Sequence, residues 1–119
     1  MGLIINRIDI QGTVKTVNVN ALIDSGAEGN YISEELPDGM RPDQLGFISY
    51  SEIPVSIPGS SSSELHQAFT FKNLTIDGHV ISEPEFIILD NIDFPVIIGV
   101  ELLQALGITL DFRTDTIRT

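Results

Sequence analysis

Apolar and polar residues alternate through the first part of the chain. Ile8 and Ile10 share one face, and after a turn at Gln11-Gly12 the positions Val17, Val19, Ala21 and Ile23 fall on one face again. A period of two marks a strand buried on one side, so the pattern predicts a β-hairpin. From Glu34 to Gly46 the stretch "EELPDGMRPDQLG" is rich in Pro, Gly and acid and predicts a surface loop with one helical turn. Strand character resumes at Phe47. Two extended arms, Phe47 to Ile57 and Glu64 to Phe71, are joined by Pro58-Gly59 and four serines, which predicts a long hairpin over about residues 50–68. The competing reading is a Ser-rich linker between two half-domains. Against it, each flank is too small to build its own core.

A second tight hairpin is signalled by "LTIDGHVI", with Asp77-Gly78 at its turn. The apolar run Phe86 to Leu89 follows, then a polar loop through Asn91 and Asp93. In "PVIIGVELLQALGITLDF" the residues Leu102, Leu103 and Leu106 make a helical stripe, Gln104 faces away, and Gly107 stands where a helix end favours positive φ. Many short strands, regular turns and one late helix predict an all-β barrel or sandwich with a single short C-terminal α-helix. No internal repeat is visible.

Size and charge narrow the picture. With 119 residues the chain is expected to form one domain, 1–119, burying roughly two thirds of the surface its unfolded form exposes. Six Lys and Arg against seventeen Asp and Glu leave a net charge of −11, which repels phosphate backbones and anionic lipid. Neither nucleic acid nor a membrane is therefore expected as a direct partner. The apolar part of "MGLIINR" is too short for a signal peptide, and no segment approaches the ~20 apolar residues of a membrane span. The absence of cysteine removes disulfides and thiolate metal sites and suits a reducing compartment, so the expected location is cytoplasmic. His66 and His79 are too few to hold a metal without further ligands, and no metal or other cofactor is expected.

The chemistry concentrates in "ALIDSGAEGNYIS", Ala21 to Ser33. An acidic residue ends an apolar strand, where a carboxylate loses hydration unless something compensates. Asp-Ser-Gly alone is ordinary turn chemistry. The fuller pattern, two apolar residues, then Asp24-Ser25-Gly26-Ala27, then Tyr31-Ile32, resembles the active-site loop of the retropepsins, the aspartic proteases of retroviruses and LTR retrotransposons. "VIIGVELLQALGITLDF", Val96 to Phe112, is similar to that family's apolar-apolar-Gly strand and following helix. The Ser-rich hairpin lies where a retropepsin has its flap. "DSGAEGNYIS" is closest to proteases of gypsy-type elements and their domesticated relatives.

The resemblance implies a retropepsin-like acid-protease barrel working as an aspartic endopeptidase. Two aspartates share one proton: one carboxylate takes a proton from water while its protonated partner polarises the scissile carbonyl. This chain has one D-[ST]-G and no repeat, so the resemblance implies a homodimer in which each copy gives Asp24. It also implies that Ser25 bonds across to the partner loop, that Gly26 and Ala27 shape the turn, and that Ile98 and Gly99 pack behind it. Ile97 is expected to line the cleft, with the flap tip Ile57, Pro58, Gly59 and Ser60 closing over an extended peptide. The expected substrate is a Gag-Pol-type polyprotein, processed in the cytoplasm or inside virus-like particles. Three features depart from the family pattern. Pro58 stiffens a tip that relatives make glycine-rich. Glu28 and Val100 replace the Asp and Arg that often pair to brace the dimer, and a tail of about residues 113–119 runs past the usual final strand. An alternative reading is a domesticated, catalytically weak dimerisation or peptide-binding module on the same fold.

Overall fold

The computed structural model describes residues 4–56, 59–90, 92–105, 107, 109–111 and 116–118. The chain order is β1 (Ile4–Gln11), β2 (Thr16–Ile23), β3 (Tyr31–Ser33), a 3₁₀ turn (Pro42–Leu45), β4 (Ser49–Ser56), β5 (Ser63–Thr70), β6 (Asn73–Ile76) and β7 (His79–Ser82). It continues with β8 (Glu85–Leu89), β9 (Val96–Ile98), helix α1 (Val100–Ala105), β10 (Thr109–Asp111) and β11 (Thr116–Arg118). The protein is thus mostly β-sheet with one short helix near its C-terminal end. Among the described residues no helix is long and apolar enough to cross a membrane.

Nine strands join one sheet in the order β4-β5-β8-β3-β9-β2-β1-β6-β7. Most neighbours are antiparallel, but β2 runs parallel to β9 and β3 parallel to β8. The first hairpin follows the alternation: Ile4, Ile8 and Ile10 of β1 are buried opposite Ile23, Val19 and Val17 of β2. Its turn differs from the expected Gln11-Gly12. The ladder reaches the pair Gln11↔Thr16, and Gly12 N–H donates to the Lys15 carbonyl at 2.8 Å across a longer turn. The Val14 and Lys15 N–H groups then donate to the Leu45 carbonyl, which ties this turn to the 3₁₀ segment. Those hydrogen bonds decide the turn length, and a local reading of Gln-Gly does not contain them.

The Asp77-Gly78 turn is as expected, with φ of 49° and 80° joining β6 to β7. Positive φ at both central residues is what a type I′ turn requires, and Gly supplies it without steric cost. The arms of the long hairpin pair from Ser49↔Thr70 to Ser56↔Ser63. Pro54 interrupts nothing because β4 is an edge strand, where a missing donor is tolerated. The core gathers Ile4, Ile8, Ile10, Val19, Ile32, Leu74, Ile76, Val96 and Ile98 around Phe71 and Phe86, whose rings lie 5.9 Å apart. In α1, Leu103 is buried, Gln104 is exposed, and Gly107 follows with φ 66°. Leu106 lies outside the described residues. The tail contains a strand pair the sequence pattern did not resolve, Thr109–Asp111 with Thr116–Arg118.

Candidate active site

β2 and β9 run side by side in parallel, with Ile23 in register with Ile98. Their chains therefore leave the sheet together, Asp24 from one strand and Gly99 from the other. The Asp24 N–H extends the ladder by donating to the Ile98 carbonyl at 2.9 Å. The loop then turns on itself: Asp24 Oδ1 accepts the Gly26 N–H at 2.9 Å and the Asp24 carbonyl accepts the Ala27 N–H at 3.1 Å. The carboxylate at the end of an apolar strand is thus compensated by a backbone donor. Asp24 stays half-buried, while Ser25 and Gly26 are exposed at the loop's tip.

Gly99 is held behind this loop. A Cβ there would lie 2.7 Å from the Ala27 carbonyl oxygen and still closer to that of Gly29. No side chain fits such a gap, so only glycine lets the two backbones meet. The contact is stitched on both sides of Gly99. Val100 N–H donates to the Ala27 carbonyl at 2.7 Å, and Gly99 N–H donates to Asn30 Oδ1 at 3.0 Å. Asn30 also donates from Nδ2 to the Glu85 carbonyl at 3.3 Å, and its own carbonyl accepts the Ile87 N–H at 2.9 Å. One side chain therefore joins the loop to the ends of both β9 and β8.

Beside the loop lies a groove of about 640 Å³. Gly26 and Ala27 line its loop side, and Tyr31, Ile87, Ile53 and Val55 give it apolar walls. Ile53 and Val55 come from β4, so the long hairpin forms one wall of the groove. Glu28, Glu85 and Glu101 also line it, and among the described residues no Lys or Arg does.

A family model for aspartyl proteases matches residues 10–102, most of the chain. The chain belongs to the aspartyl protease family. No individual curated protein matches it. The matched region contains every element of the site: the Asp24 loop, the long hairpin, β9 and the start of α1.

Within this aspartyl protease, the residues expected from sequence divide into two groups. Asp24, Ser25, Gly26, Ala27, Ile98 and Gly99 form one connected unit through the contacts above. Ile97 is half-buried in β9 between Leu22 and Tyr31 in register, one strand away from the groove wall at Tyr31. Gly59, with φ 78°, and Ser60 lie exposed at the hairpin tip, where Ser60 Oγ meets Ser62 Oγ at 2.7 Å. Ile57 and Pro58 lie outside the described residues. Glu28 is exposed, and Val100 enters the site through its backbone N–H. Sequence reasoning missed Asn30. Its only available signal was a polar residue directly before the apolar Tyr31-Ile32 step. Among the described residues no three His, Cys, Asp or Glu side chains come together as a metal site. His66 instead links two strands, its Nδ1 3.2 Å from the Ile88 carbonyl oxygen.

Proposed function

We propose that this aspartyl protease is a homodimeric endopeptidase in which Asp24 of each copy supplies half of a water-activating pair. The observation that carries the reading is the Asp24 loop: a rigidly backed carboxylate beside a peptide-sized groove, in a chain with one Asp-Ser-Gly. The chemistry needs two carboxylates sharing a proton, one activating water and the other polarising the carbonyl. A chain with a single such loop meets that need by pairing with a copy of itself across a two-fold axis. The exposed Ser25 is then free to bond to the partner's loop. The β4–β5 hairpin acts as the flap: it closes over an extended peptide, pairs with its backbone and excludes water. The substrate class is an extended segment of a polyprotein of the retroviral or gypsy-type LTR element kind, cut in the cytoplasm or within virus-like particles.

The test combines one variant with a mixing experiment. Asp24→Asn keeps the fold, as judged by circular dichroism, and abolishes cleavage of a fluorogenic peptide library. Adding a nine-fold excess of the variant to wild-type chain, well above the dimer dissociation constant, traps nearly every active subunit in a mixed pair. Activity falls to about one tenth, the fraction of wild-type chains still paired with each other. Unchanged activity in the mixture would show that one chain suffices and would sink the shared-site reading.

A further inference from the structure

The long hairpin has a second concave surface on the face away from the Asp24 groove. Strand alternation sends Ile53 and Val55 toward that groove and Tyr50 and Glu52 the other way. On this reverse face a groove of about 390 Å³ runs between the hairpin's root and the 3₁₀ segment. Buried Pro42 and Phe69 form its floor. Phe47 stacks on Phe69 with ring centroids 4.4 Å apart, and Tyr50 lies 5.8 Å from the same ring. Phe47 and Tyr50 remain 38% and 47% exposed, an aromatic surface left open to solvent.

The rim is acidic. Glu34 and Asp43 line the groove, at 3.6 and 3.5 Å from the Arg41 guanidinium, so the one cation lining it among the described residues is already neutralised. A third carboxylate, Glu52, accepts the Tyr50 hydroxyl at 3.0 Å. That hydrogen bond, with partial desolvation and the Glu52 charge behind it, holds the Tyr50 phenol above its ordinary pKa. Aromatic faces beside an excess of carboxylates attract a cation with an apolar stem. The flanking strand, β4, is an edge of the sheet among the described residues, so an extended backbone can pair along it. We propose that this groove docks an extended peptide segment carrying a lysine or arginine, seated on Phe47 and Tyr50 with its charge at Glu34 and Asp43.

The experiment uses the full chain, labelled with ¹⁵N, and two probes, acetyl-Lys-Phe-Lys-amide and acetyl-Glu-Phe-Glu-amide. The lysine peptide shifts the amides of residues 41–50 and 67–69 saturably, and the glutamate peptide does not. The double variant Glu34→Gln, Asp43→Asn, whose sites are both exposed, keeps its melting temperature and binds the lysine peptide roughly five-fold more weakly. Equal binding of the glutamate peptide, shifts confined to residues 26–31 and 53–56, or unchanged affinity in the double variant would each overturn the proposal. Both variant sites lie outside the Asp24 groove, so failure here leaves the dimeric-protease reading standing, and the reverse also holds.

Discussion

Replacing Gly99 by alanine tests whether the Asp24 loop is positioned by backbone contact from behind. The new methyl would sit 2.7 Å from the Ala27 carbonyl oxygen and nearer still to that of Gly29. Both obstacles are main chain and cannot rotate away, so the loop must retreat by roughly 1 Å to restore van der Waals distance. That retreat strains or breaks the Val100-to-Ala27 and Gly99-to-Asn30 hydrogen bonds, now 2.7 and 3.0 Å. Overpacking and two weakened hydrogen bonds together cost about 2–4 kcal/mol. For a chain of this length the melting temperature drops by roughly 8–15 °C. Displacing Asp24 by that distance also lowers kcat about 100-fold even where the protein stays folded. Gly39→Ala is the control: its Cβ meets nothing within 4 Å, so only the strain of φ +84° remains, about 1–2 kcal/mol. The assays are thermal melting and peptide cleavage at 20 °C. A Gly99→Ala protein that melts and cuts like wild type would refute the packing argument.

Two other outcomes follow from the same geometry. Asn30→Ala leaves the Gly99 N–H without its side-chain acceptor and frees the Glu85 carbonyl, for a loss of about 1–3 kcal/mol in denaturant unfolding. Asn30→Asp keeps the acceptor and loses less. Because Glu28, Glu85 and Glu101 line the groove, peptides with Lys or Arg near the cut site are cleaved faster than their Glu counterparts. The advantage shrinks in 0.5 M salt and in Glu85→Gln, and a preference insensitive to both would exclude an electrostatic origin.

The features legible in the sequence were those whose cause is local. Val17, Val19, Ala21 and Ile23 declare their strand because one face is buried, and a slip of one residue would expose all four. Asp77-Gly78 declares its turn because few other residue pairs reach the required φ. Asp-Ser-Gly alone reads as ordinary turn chemistry, and it and Ile-Ile-Gly became readable as a site only through their resemblance to a known family's motifs. Asn30 was illegible for the opposite reason, since its two side-chain partners lie 69 and 55 positions away. β3, β9, β10 and β11 span three residues each, too few to display a period.

The two sides of the Asp24 loop are built differently, and the contrast bears on function. Behind it, Ile98, Gly99, Val100 and Asn30 engage the loop through backbone or paired polar contacts. In front, Ser25 and Gly26 are exposed, and among the described residues the one hydrogen bond to the carboxylate comes from within the loop. A purely structural turn would gain nothing from such rigid backing of an exposed tip. A loop that must present a carboxylate to a second carboxylate would, because like charges in one site need fixed geometry to share a proton. The same division predicts how variants combine. Gly99→Ala and Asn30→Ala act within each chain and couple to each other through shared contacts. On the proposed shared-site reading, Asp24→Asn acts through pairing, and its effect is expected to scale with the fraction of mixed dimers rather than with stability.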